Sequence, residues 1–105
     1  MIKHIVMLRF KPGHDKQDNM NTFRDLILEL PNHIPVIRKL ELGINYSKSH
    51  NASDQVLVTH FDTVEDLELY RLHPQHLTVL GYLKKVVSEV RVVDFNDLLS
   101  SDPSD

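Results

Sequence analysis

The chain has 105 residues, 41% of them hydrophobic and 26% charged, which is the size and make-up of one globular domain. A net charge of −3 argues against a nucleic-acid partner, which needs a concentrated basic patch. Zero cysteines exclude disulfides and thiolate metal sites, and no run of about 18 apolar residues offers a membrane-spanning helix.

Residues 2–10 alternate as a strand. Ile2, His4, Val6, Leu8 and Phe10 share one face, apolar except for His4, while Ile5 and Met7 make the middle of the other face apolar as well. A turn at Pro12-Gly13-His14 leads into a helix over 16–30, with Asp15 as the expected N-cap. Met20, Phe23, Leu26, Ile27 and Leu30 form its apolar stripe, and Pro31 is its expected stop. Ile34, Val36 and Ile37 make a short apolar connector around Pro35. A second strand at 39–45 puts Leu40, Leu42 and Ile44 on one face, and the polar run Tyr46 to Ser53 reads as a mobile loop. In a third strand, 55–61, Val56, Val58 and His60 alternate with Gln55, Leu57, Thr59 and Phe61.

Thr63-Val64-Glu65-Asp66 is a capping box. The helix it opens carries Val64, Leu67 and Tyr70 on one stripe. A further helix from Pro74 to about Leu83 is expected to bury Leu77, Leu80 and Leu83, and a valine-rich fourth strand spans 86–95. The order β-α-β-β-α-β predicts an α+β, ferredoxin-like fold: a four-stranded antiparallel sheet with its helices on one face. Residues 1–97 form the domain, and 98–105 are expected to be a frayed acidic tail. Ile5, Met7, Val56 and Val58 would leave the other sheet face an exposed apolar patch. The expectation is therefore a homodimer joined sheet to sheet. Cytoplasmic residence without a membrane partner fits the missing cysteines and the strand-like opening, which has no signal-peptide pattern.

The chemistry concentrates at Tyr70-Arg71-Leu72-His73-Pro74-Gln75-His76. Histidine titrates close to neutral pH and suits general acid–base work, and a tyrosine can hydrogen-bond a substrate oxygen. Pro74 bends the chain, so Tyr70 belongs near the end of one helix and His76 in the first turn of the next. With His4 from the first strand they are expected to converge in a pocket lined by Val6, Leu67 and Leu77. His73 is expected to close the first of these helices with its ring. His73 and His76 are spaced as two ligands on one helix, but Pro74 breaks that helix and no neighbouring carboxylate completes a triad. No metal and no cofactor are therefore expected.

Four stretches carry a resemblance. They are Met1–Lys11, Ile34-Pro35 leading to Leu42-Gly43, Phe61–Leu67 followed by Tyr-x-x-His-Pro-x-His, and Val93-Asp94-Phe95. In this order, from residue 1 to about 97, the chain resembles the stress-responsive dimeric α/β-barrel family. The resemblance implies two sheets paired into a shared barrel. It also implies chemistry, because the family's best-characterised activity is that of a plant polyketide cyclase. That enzyme's catalytic histidine matches His76, its tyrosine partner Tyr70, and its first-strand pocket histidine His4. A third-strand pocket histidine falls at Gln55, and a first-helix tyrosine at Ile27. The expectation is a stress-associated protein binding a small carbonyl-containing or aromatic ligand between sheet and helices, with His4, Gln55, Val6, Leu67, Leu77 and His73 around it. One alternative is a cyclase-like lyase or isomerase, with His76 as base and Tyr70 as hydrogen-bond donor. Another is a cofactor-free monooxygenase, for which no tryptophan is present.

Overall fold

Alternation along the first strand decides which way the sheet faces. In the computed structural model, which describes residues 1–97, β1 (Ile2–Phe10) buries Ile2, His4, Val6, Leu8 and Phe10. It lies between β3 (Gln55–Phe61) and β4 (Val87–Asn96), with β2 (Lys39–Ile44) beyond β3. All three pairings are antiparallel, giving the order β2-β3-β1-β4. His4 stands opposite Thr59 on β3 and Asp94 on β4. Three helices, α1 (Lys16–His33), α2 (Val64–Leu72) and α3 (Pro74–Val86), complete the ferredoxin-like α+β fold. The acidic tail expected at 98–105 lies outside the described residues.

The buried face of the sheet meets Met20, Phe23, Ile27 and Leu30 of α1, Leu67 and Tyr70 of α2, and Val79 and Leu83 of α3 in one hydrophobic core. Phe10 and Phe23 meet edge to face at 6.1 Å between ring centroids. Burying such a side chain is worth about 1.5–3 kcal/mol. The core thus holds the helices to one side of the sheet.

Local departures from the sequence expectations have physical causes. α1 runs through Pro31 to His33. In the last turn a proline forfeits one backbone bond, and the Ile34 N–H still reaches the Leu30 carbonyl at 2.9 Å. Asp15 is helical in conformation and makes no side-chain cap, pairing with His14 instead. The turn before it uses Gly13 at φ 138°, a conformation natural to glycine. Thr63 does cap α2, its hydroxyl accepting from the Asp66 N–H at 3.1 Å, but Val64 is exposed. α3 buries His76, Val79, Leu83 and Val86, while Leu77 and Leu80 sit at or beyond the surface. Its sequence offers two overlapping apolar stripes, and the sheet takes the one containing His76.

The segment at 46–53 is tied down. Arg9 Nη2 donates to the carbonyls of His50 at 3.2 Å and Ala52 at 3.0 Å. Just beyond it, the Asp54 carboxylate accepts from the Phe10 N–H at 2.8 Å and pairs with Lys16 at 2.9 Å. The sheet face away from the helices carries Ile5, Met7, Val56 and Val58, joined by Val93 and Phe95 of β4 in register with Ile5 and Lys3. Met7, Val93 and Phe95 are exposed there. Gly43 faces the same way, where an added Cβ would come within 3.1 Å of Val56.

Candidate functional site

The bend around Pro74 builds the site by satisfying its own backbone. A residue before proline is driven into extended conformation, and His73 adopts φ −65°, ψ 135°. Its N–H returns to the Tyr70 carbonyl at 3.2 Å, closing α2. Its ring Nδ1 accepts from the Gln75 N–H at 3.1 Å, capping α3. His73 therefore serves two helices at once, and its ring is committed to the second rather than to the first. The Arg71 carbonyl, left free at the end of α2, takes the His76 Nδ1–H at 3.0 Å.

That bond settles the tautomer of His76. A carbonyl oxygen only accepts, so the proton is on Nδ1 and Nε2 keeps its lone pair. Burial pushes the His76 imidazole below its ordinary pKa, and the charges of His4, Arg71 and His73 act in the same direction. The hydrogen bond to the Arg71 carbonyl opposes them. His76 is thus a neutral base at neutral pH.

Tyr70, from the last turn of α2, lies against this ring with centroids 4.2 Å apart and planes tilted by 38°. It also meets His4 edge to face at 5.9 Å and Phe61 at 5.1 Å. Only 1% of its surface is exposed, and burial raises the pKa of its hydroxyl, keeping the phenol protonated. His4 Nδ1 is hydrogen-bonded to an Asp94 carboxylate oxygen on the neighbouring strand. The carboxylate accepts, so this Nδ1 too carries a proton. A chain of contacts therefore runs Asp94–His4–Tyr70–His76.

Beside it lies a cavity of about 610 Å³ between the sheet and α1 and α3, within the ~300–1,000 Å³ typical of ligand pockets. Val6, Phe23, Ile27, Leu57, Val79 and Leu83 give it apolar walls, and His4, His76, Asp94, Arg71 and Lys84 are its polar lining. Val90 and Val92, on the helix-facing side of the edge strand β4, are exposed and form a lip with Leu80.

Of the residues read from the sequence, the structure brings His4, Val6 and His76 to this cavity, with Tyr70 packed on the two imidazoles. Four others stand elsewhere. Leu67 is in the core but off the lining. Leu77 is 49% exposed, because it sits about 100° around α3 from His76. His73 is occupied in capping. Gln55 pairs with Leu8, four residues along β1 from His4, or roughly 14 Å at 3.4 Å per residue. Its buried Oε1 has no hydrogen-bond partner among the described residues. Sequence reasoning missed Asp94, Arg71, Lys84 and the β4 lip. For Asp94 the signal was present, since Val90, Val92 and Asp94 share one parity on a strand antiparallel to β1. Among the described residues no group of three His, Asp or Glu side chains is gathered as a metal site. No helix among them is long and apolar enough to cross a membrane.

Comparison with known proteins adds a family match. The family described as the stress responsive A/B barrel domain matches residues 2–97. No curated protein matches. Among solved structures, a dimeric protein of unknown function and ferredoxin-like fold from Bacteroides fragilis is 32% identical. That match covers 90% of this chain and 94% of the other, with a TM-score of 0.82. A dimeric ferredoxin-like protein of unknown function from Thermobifida fusca is 21% identical, covering 90% and 88% with a TM-score of 0.79. A hydroxynitrile lyase from Passiflora edulis is 17% identical, covering 91% and 94% with a TM-score of 0.81. At these last two identities the likeness is one of fold.

Proposed function

The chain belongs to the stress responsive A/B barrel domain family, and from that premise we propose that it binds a small apolar or aromatic carbonyl compound in the cavity beside His76. The observation that carries this reading is the state of His76. It is a neutral imidazole on the wall of an apolar cavity, its Nδ1 fixed by the Arg71 carbonyl and its Nε2 lone pair left over. Lone pairs in such surroundings are placed to accept a proton or a hydrogen bond. The protein works as a homodimer through the bare sheet faces, as the relatives from Bacteroides fragilis and Thermobifida fusca are described as dimeric.

A second reading, proton transfer, is favoured by the protonated phenol of Tyr70 against the same ring. His76 Nε2 removes a proton from the carbon next to a carbonyl, the electron pair moves to the carbonyl oxygen, and the Tyr70 O–H donates to that oxygen. Such help is worth about 10²–10⁴-fold. Both readings are tested with a β-keto ester such as ethyl benzoylacetate in deuterated water. Binding is read by calorimetry, and exchange of the α-protons by proton spectra. The proposal expects binding that Leu80→Trp at the lip obstructs, and exchange that His76→Gln removes. Binding without enzyme-dependent exchange leaves a carrier and ends the catalytic reading. Wild-type binding undiminished in Leu80→Trp ends the cavity as the binding site.

A further inference from the structure

The charges around the cavity are arranged unevenly, and their arrangement says what kind of ligand fits. Resting on the reading that this cavity binds a small molecule, we infer that its ligand is an amphipathic anion. The neutral oxygen-bearing end lies against His76, and the anionic group points outward to Lys84 at the mouth.

The inner end disfavours a negative charge. His76 presents a lone pair there, because its proton is engaged with the Arg71 carbonyl. A lone pair attracts an O–H or an acidic C–H and repels a carboxylate. Asp94, exposed on the edge strand β4 but bound to His4, puts a carboxylate on the lining at the His76 end. A second anion beside it meets like-charge repulsion. Arg71 also borders the cavity, but its guanidinium pairs with Glu68 at 2.6 Å, so its charge is already answered.

Lys84 is different. It lines the cavity from the last turn of α3 and is exposed. It takes part in none of the ion pairs found among the described residues. The neighbouring wall is apolar, with Leu80, Leu83 and Val87 on the helix side and Val90 on the strand side. A ligand whose body lies along this wall and whose anion reaches Lys84 is matched at every point. A fully neutral ligand would leave the cation unused, and a ligand with its anion at the His76 end would meet the Asp94 carboxylate.

The test compares 6-hydroxy-2-naphthoic acid with its methyl ester. Both carry the same phenol and apolar rings, and they differ at the far end, where one has a carboxylate and the other a neutral methyl ester. Calorimetric titration of the wild-type protein should show the acid binding roughly 1.5- to fivefold tighter, the range of an exposed ion pair. Lys84→Met should weaken the acid to the level of the ester while leaving the ester unchanged, and a few hundred millimolar salt should shrink the wild-type difference. Equal binding of acid and ester to the wild type overturns the anion while leaving the cavity reading intact. A preference that survives Lys84→Met overturns the assignment to Lys84. Binding of neither compound overturns both the cavity reading and this inference. Lys84→Arg, which keeps the charge, should retain the preference, and its loss there would contradict a purely electrostatic role.

Discussion

His76 holds two jobs in one ring: its Nδ1–H closes the open end of α2 at the Arg71 carbonyl, and the ring, its Nε2 lone pair unused, lines the cavity. Its lowered pKa, caused first by burial, couples protonation to stability. The unfolded chain accepts a proton near the ordinary histidine value of about 6.5, whereas the folded protein refuses it until lower pH. The contribution is therefore complete above that value and lost as pH falls through the folded one. Thermal unfolding followed from about pH 7.5 to about pH 5.5 should show wild type losing more Tm than His76→Gln. Parallel losses in the two proteins would contradict it. Tyr70 separates packing from chemistry more sharply. Tyr70→Phe keeps the ring contacts with His4, Phe61 and His76, so stability should change by less than about 1 kcal/mol. Proton exchange at the β-keto ester should nonetheless fall by about tenfold or more. An unaltered exchange rate would make Tyr70 a packing residue only. Tyr70→Ala, which empties a buried ring site, should cost about 3–5 kcal/mol.

Between α2 and α3 the decisive residue is His73, which ends one helix with its N–H and starts the next with its ring. His73→Ala should cost roughly 0.5–2 kcal/mol, the usual worth of an N-cap, in urea unfolding, and His73→Asn should recover most of it. An alanine variant as stable as wild type would show that the cap contributes nothing. The sequence made this junction readable because proline restricts both itself and its predecessor. The strand faces were readable for a similar reason, since a period of two leaves only two choices and the apolar count of β1 decides between them. The rotation of α3 was not. Leu77, Leu80 and Leu83 make as good a stripe as Val79, Leu83 and Val86, and only contact with the sheet selects the second. Asp94 escaped notice because its meaning depends on standing opposite His4, which is a matter of register. Gln55 was misplaced along the strand rather than across it, for alternation gives the face but not the distance from the site.

Over the whole molecule, the sheet divides two tasks between its faces. One face carries the helices and the cavity; the other carries Ile5, Met7, Val56, Val58, Val93 and Phe95 with none of the described helices over it. Stable interfaces bury about 1,200–2,000 Å² in total with an apolar centre, and this face supplies apolar residues for the proposed seam. Met7→Asp should place a charge in the seam and give monomer or aggregate in light scattering, against a wild-type dimer. A wild-type monomer at micromolar concentration would remove the assembly while leaving the cavity untouched, because none of the six residues named lines it. The cavity beside His76 is the proposed ligand site, and the histidine ring nitrogens report on its occupation directly. Imidazole ¹⁵N–¹H spectra recorded during titration with methyl 6-hydroxy-2-naphthoate should show His76 protonated at Nδ1, with its Nε2 signal moving as ligand is added and His4 following. A His76 signal that stays fixed while the ligand binds, with changes confined to the outer helical surface around Leu69 and Leu72, would place binding outside this cavity.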